Sequence, residues 1–366
     1  MENFRKILIT ARDPATANDV YGVLKTILKD KRFLVKILAQ EPAFKILNQK
    51  LFVDKFSADI IHNCENIDLI YSVFNDFQPH CLLTGISGPD SYGVDELALK
   101  ISKKFNSIET FSIQSYWGDL NKSCGVLANT IFVLDNFAKD VTFRRDDSLN
   151  IVVTGSLRSD FFKAVDVNKE RDLFKSKYSD NQDVIAFFGQ PLFEYQWYKE
   201  TLDFFLQTLK QLNLNVKLIY KPHPKESEAS IEWVSKKISN CIQGNVDKTI
   251  DTYHLLVGSD MTVSLFSTVG FDLQNIIYRS NIPFSIPTYL FFHHECREWY
   301  KRFCRLDEIP LSVNNMSILV EKREDLKNLI VDGIKCKKKE LCLSSLKSSL
   351  NFNQELGSSL IISELV

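Results

Sequence analysis

The sequence predicts an α/β protein made of two doubly wound parallel sheets, and three observations carry that expectation. Residues 6–39 run strand, small-residue turn, amphipathic helix, strand, which is the opening of a doubly wound unit. A second strong strand at residues 184–191 is again followed by an amphipathic helix (197–212) and another strand. At 366 residues the chain exceeds one comfortable hydrophobic core, so two domains are expected.

Taken in order, residues 6–10 read as a strand, and residues 11–18 as a turn of small and polar side chains that includes Asp13. Val20, Val23, Leu24, Ile27 and Leu28 then recur at helical spacing, and residues 33–39 form the next strand. Residues 68–77 predict a helix and 79–84 a strand, which runs into a Gly/Ser turn holding Ser87 and Asp90. A helix over 94–105 carries Asp95 and Glu96 in its first turn, where the helix dipole favours carboxylates. Strands at 110–115, 130–134 and 150–156 complete the first half, and a charge-rich segment over 162–183 reads as a connecting helix and linker. Domains are placed at 1–165 and 166–330, with a helical tail at 331–366.

The second half centres on residues 216–274. An alternating apolar run stops at Lys221-Pro222-His223-Pro224, and a second short strand ends in a turn holding Ser264, Ser267 and Thr268, ahead of a helix over 270–278. A further strand is expected at 282–286. Each strand delivers polar groups at its carboxyl end, the edge where open α/β sheets bind ligands. The prolines fix the backbone on both sides of His223, so its imidazole can donate to a departing phosphate, with Lys221 adding a cation. Hydroxyls at a helix start form an anion site, although Ser and Thr also serve as plain caps. Gln190, before Pro191, is expected to face the same crevice, and Asp272 to reach a ribose hydroxyl or simply to suit the helix dipole. Asp90, Asp95 and Glu96 are the leading candidates for a general base, with Asp13 as their rival.

Composition narrows the function class. A formal net charge of −1 argues against a dedicated nucleic-acid binder. The eight cysteines form no C-x-x-C pair, and His293-His294-Glu295 points its histidines to opposite sides, so no metal site is expected. No signal-peptide core precedes the first strand, and no apolar run reaches the roughly 18 residues of a membrane span. A cytoplasmic location follows. The lysines at 335, 337, 338 and 339 read first as a solvated helix face, with peripheral contact to an anionic inner-membrane surface as the alternative.

On these residues the chain resembles the two-domain GT-B glycosyltransferases of bacterial surface-polysaccharide assembly, in particular the CMP-dependent Kdo, sialyl- and polysialyltransferases. Gln190-Pro191 is similar to the Gln-Pro motif of the Kdo transferases, His223-Pro224 to the shared His-Pro motif, and Ser264, Ser267 and Thr268 to their serine motif. The resemblance implies two Rossmann-like domains facing a cleft, the N-terminal one (1–165) binding the acceptor and the C-terminal one (166–330) the nucleotide sugar, with a CMP-linked acidic sugar as co-substrate and no separate cofactor. It further implies a glycan or glycolipid acceptor, and inversion by direct displacement with a carboxylate of the N-terminal domain as base. The acidic-acidic-Gly run of the sialyltransferases is absent, since Asp95-Glu96 is followed by Leu97. The serine turn and His-Pro also resemble CDP-polyol transferases of teichoic-acid type, and a non-catalytic sugar-binding scaffold is the remaining alternative.

Overall fold

In a computed structural model, residues 4–62, 65–88, 91–105, 107–158, 160, 165–312, 315–349 and 357–366 are described. The chain divides into two units, Met1–Phe161 with Phe352–Val366, and Phe162–Asn351.

Unit 1 is built on a sheet of order β3-β2-β1-β4-β5-β6-β7 in which every pairing is parallel. Its strands are β1 Arg5–Ala11, β2 Phe33–Ala39, β3 Asp59–His62, β4 Cys81–Gly85, β5 Glu109–Ile113, β6 Thr130–Val133 and β7 Asn150–Val153. The helices α1 Pro14–Ile27, α2 Ala43–Val53, α3 Ile67–Phe77, α4 Val94–Ser102 and α5 Asn136–Arg145 connect them. The central strands are buried on both faces, as parallel sheets require, so β4 is apolar throughout except for Thr84.

Helix α1 starts five residues earlier than its apolar spacing predicts. Asp13 is an extended N-cap, Pro14 takes the first helical position, and the Thr16 hydroxyl accepts the Asp13 N–H at 3.2 Å. Helix α2 is absent from the sequence reading because only Ala43, Leu47 and Leu51 are buried, a stripe one residue wide.

Unit 2 has the order β10-β9-β8-β11-β12-β13, again wholly parallel. Its strands are β8 Asp183–Phe188, β9 Val216–Lys221, β10 Gly244–Val246, β11 Met261–Ser264, β12 Pro287–Leu290 and β13 Ile318–Val320. The helices are α6 Val167–Tyr178, α7 Gln196–Leu212, α8 Glu228–Cys241, α9 Thr252–Gly258, α10 Val269–Ser280, α11 His294–Cys304, α12 Leu326–Ile334 and α13 Cys336–Ser349.

The strand expected at 282–286 lies instead at β12. Pro287 is tolerated as the first strand residue, and Thr262 on β11 opens the pairing by donating to the Ile286 carbonyl at 3.1 Å. The C-terminal helices do not stand apart as a tail. Helix α13 belongs to unit 2, whereas the last helix, α14 (Gly357–Leu365), packs on α1 with Ile361 and Leu365 fully buried. Asp160 caps α14 by accepting the N–H groups of Gly357 and Ser358 at 3.0 and 2.8 Å.

Lys335 and the lysines at the start of α13 do not form a continuous basic face. Lys339 is buried, 3.8 Å from Asp260, while Lys335 donates to Asp332 and Lys338 to Asn315. Burial alone raises the Asp260 carboxyl, but the charges of Arg171 and Lys175 outweigh it and hold the group below its ordinary value. Among the described residues no helix is long and apolar enough to cross a membrane.

Candidate functional site

The strand order of each sheet reverses direction at one place, and the crevice at that switch point is where an α/β sheet takes its ligand. In unit 2 the reversal lies between β8 and β11. Phe188 is paired with Lys221 and Phe187 with Val263. Extended past the strand ends, this register brings Gln190 level with His223 on one side and with Phe266 on the other. The His-Pro turn and the serine turn therefore share one edge, two strands apart, or about 10 Å at ordinary strand spacing.

Gln190 joins the two turns. Its Oε1 accepts the backbone N–H groups of Leu265 and Phe266 at 3.1 and 3.2 Å, which fixes the serine turn. Its own N–H donates to the Tyr198 hydroxyl at 3.1 Å, and the Tyr198 and Tyr220 hydroxyls lie 3.2 Å apart. Tyr220 donates to Glu226 Oε2 at 2.8 Å, and Glu226 Oε1 accepts the His223 N–H at 2.7 Å. A hydroxyl carries one proton, so the direction of this chain is set: Gln190 to Tyr198, Tyr198 to Tyr220, Tyr220 to Glu226. Burial raises the Glu226 carboxyl and keeps Tyr220 protonated well beyond its usual range. A side chain at Gly189 would collide with Glu226 and with Tyr220, so only glycine leaves room for the network. Gln190 is thus a positioning residue in this structure, not the ligand-facing group expected from the sequence.

Lys225 N–H donates to His223 Nδ1 at 3.1 Å, so a neutral imidazole carries its proton on Nε2 and is a donor there. In the serine turn, Ser264 Oγ accepts the Ser267 N–H at 3.3 Å and Ser267 Oγ accepts the Val269 N–H at 3.4 Å. Thr268 is the N-cap of α10 and makes no side-chain capping bond. Gly270 leaves room for the Tyr289 hydroxyl against the start of α10.

Two expectations are corrected here. The Lys221 ammonium donates to the carbonyls of Lys248 and Ile250 at 2.9 and 2.5 Å, so it holds a loop and does not stand as a spare cation. Asp272 is only 4% exposed and its charge bears on the buried Tyr289 hydroxyl, so it is not presented at the surface to a ribose. Tyr198, Tyr220 and Glu226 were not legible as site residues. The one available signal was Glu226 three residues after His223.

In unit 1 the switch point lies between β1 and β4. Ile9 pairs with Leu83, so Asp13 falls level with Ser87 just beyond the strand ends. Asp95 is fully buried and accepts the hydroxyl protons of Thr10 at 2.5 Å and Ser87 at 3.0 Å. Burial, with the Glu96 charge second, pushes Asp95 up to about 7. Glu96 is also raised by burial, which Arg12 offsets in part from 3.8 Å. Its oxygens accept from Gly93 N–H at 2.8 Å and Asn121 Nδ2 at 2.9 Å. Arg12 is 7% exposed and donates to Ser91 Oγ at 3.3 Å and to the Gly88 carbonyl at 3.4 Å, while its buried Nε has no hydrogen-bond partner among the described residues. Asp13 is half-buried and accepts the Gly88 N–H at 3.3 Å.

Asp13, Ser87, Asp95 and Glu96 therefore do converge on one edge. Burial denies Asp95 and Glu96 direct contact with a substrate, which reverses their ranking over Asp13. Asp90 lies outside the described residues. Among the described residues no cluster of three His, Cys, Asp or Glu side chains could hold a metal, and His293 Nε2 sits 3.2 Å from Glu200.

No family model and no curated protein matches this chain. Solved structures do match it over nearly its full length. A UDP-GlcNAc 2-epimerase from Neisseria meningitidis bound to UDP-GlcNAc is similar at a TM-score of 0.68 and 14% identity, covering 98% of this chain and 99% of that one. A glycosyltransferase from Rickettsia africae gives 0.64 and 15% over 99% of this chain and 98% of its own. MurG of Acinetobacter baumannii gives 0.60 and 11% over 99% of each. The fold is GT-B. Identities this low carry the architecture alone, so the chemistry of this GT-B chain is argued from its own residues.

Proposed function

We propose that the protein is a nucleotide-sugar-dependent glycosyltransferase whose unit 2 holds the donor phosphate between His223 and the start of α10. The observation that carries this reading is Gln190, which ties the His-Pro turn and the serine turn to one sheet edge. His223 Nε2–H donates to the departing phosphate and offsets its growing charge. Ser267, Thr268 and the first N–H groups of α10 receive the other oxygens, aided by the helix dipole. Asp13 of unit 1 takes the acceptor hydroxyl proton. Asp95 and Glu96 stiffen the turn behind it as positioning residues. Direct displacement inverts the anomeric centre and leaves the nucleotide as product.

The donor proposed is a CMP-linked acidic sugar, on the strength of the Gln-Pro, His-Pro and serine motifs together, with a glycan or glycolipid as acceptor. Differential scanning fluorimetry with CMP, CDP, UDP and GDP tests it. A ligand at 100 times its Kd stabilises the protein by about 2.7 kcal/mol. Stabilisation by CMP alone supports the donor. Stabilisation by CDP alone points to polyol-phosphate transfer, and no response to any nucleotide points to a scaffold.

A second reading, 2-epimerisation of a UDP-linked N-acetylhexosamine, is favoured by the similarity to epimerase structures bound to UDP-GlcNAc. Proton NMR of the reaction separates the two, because epimerisation changes the sugar of an intact nucleotide sugar whereas transfer releases free nucleotide.

A further inference from the structure

Beside the switch point of unit 2, between the start of α7 and the face of α11, lies a groove of about 590 Å³, a size typical of small-ligand sites. Its floor is aromatic. Trp299 is stacked between Phe266 of the serine turn, at 5.4 Å and 19°, and Phe303, at 4.6 Å and 27°. Tyr195 stacks on Trp197 at 5.3 Å and meets Trp299 edge-on at 6.0 Å. Helix α11 buries only Cys296 and Tyr300, so its aromatic residues run beyond what its core contact requires, and Phe303 is 40% exposed. The indole N–H of Trp299 is buried and has no hydrogen-bond partner among the described residues.

The rim is charged. Glu194, Glu295 and Glu298 face it with Arg302, whose guanidinium lies over the Phe303 ring at 5.4 Å. Three carboxylates against one cation leave the groove electronegative, which disfavours phosphates and acidic sugars. The rings lean on one another in a row and do not converge on a point, so they form a floor and not a cage for a small cation. An apolar floor with carboxylate acceptors at its rim matches a pyranose, which offers C–H groups on its face and hydroxyl donors at its edge. The groove also continues the candidate donor edge directly, through Phe266 on one side and through the Gln190-to-Tyr195 turn on the other.

We infer that this groove binds a neutral glycan chain, with Tyr195 and Phe303 against the sugar rings, Trp299 as the buttress behind them, and Glu194 and Glu298 accepting their hydroxyls. Its identity as the acceptor rests on the transferase reading; its binding of sugar does not. Titration of the full-length protein with chitotetraose and maltotetraose, followed by calorimetry and by tryptophan fluorescence, tests it without any nucleotide. At least one of them should bind and perturb the fluorescence, and F303A should weaken it by tenfold or more. E298Q, at an exposed position, should weaken it several-fold while leaving any nucleotide-induced thermal shift unchanged. Three results would overturn the assignment: neither oligosaccharide binds, F303A and E298Q both bind as wild type does, or choline or a sialic acid tetramer binds more tightly.

Discussion

The two switch points occupy equivalent places in their sheets yet are furnished in opposite ways. At β1/β4 the ionisable groups are drawn inward, with Asp95, Glu96 and Arg12 all under a tenth exposed. At β8/β11 the buried network is made of an amide, two phenols and one carboxylate, and the imidazole and hydroxyls stand at the edge of it. The first arrangement stores charge at a cost in desolvation and leaves Asp13 as the half-buried carboxylate of the set. The second links the Gln190 amide oxygen and N–H, the two phenols and the Glu226 carboxylate in one run of hydrogen bonds, and such a buried polar network rigidifies the turns it joins.

That contrast can be broken most severely at Asp13. D13N should lower turnover by roughly 10²- to 10⁴-fold, the usual worth of a general base, with donor KM unchanged. Full activity in D13N would move the base elsewhere in unit 1. H223A should lower kcat by about a hundredfold while circular dichroism stays that of wild type. Wild-type turnover would remove the imidazole from the chemistry.

A smaller effect sharpens the role of the joint. Q190A strips the acceptor from two buried N–H groups, and such groups cost about 1–3 kcal/mol each when unsatisfied. Chemical denaturation should show a loss of about 2–6 kcal/mol for the pair, together with weaker nucleotide binding. A loss of stability with nucleotide affinity intact would separate Gln190 from the donor site.

The smallest effect is a pH dependence confined to unit 1. Asp95 has a folded pKa near 7, above its ordinary unfolded value of about 3.9, so the folded state binds the extra proton between those limits. Its contribution to stability is present below about pH 4 and is lost as pH rises through 7. D95N removes the titration, so its melting temperature should fall less than that of wild type between pH 5 and 8. Parallel curves for the two proteins would show that Asp95 does not titrate there.

Much of the fold was legible because its strands are short apolar runs bounded by Pro, Gly and Ser. β2 was read to its exact ends, and β8 and β11 to within a few residues. The His-Pro and serine turns were legible for the same reason, since each interrupts an apolar strand. What failed did so for physical reasons. α2 shows too narrow a stripe, and β3 is an edge strand with no buried residue. Asp95 and Glu96 read as candidate bases or dipole-favoured carboxylates in a first helical turn and their full burial was not legible, because it is decided by Thr10 and Asn121, distant in sequence.

The sequence alone determined the parallel α/β class, the turns that carry His223 and Ser267, and the set of carboxylates from which a base could come. Only the tertiary structure decided which of those carboxylates retains a surface. It alone returned the last helix to the first core, and it made Gln190 the link between two turns. The reason is common to all three. Apolar period and turn chemistry are local, whereas burial and hydrogen-bond partnership depend on what the sheet order brings alongside.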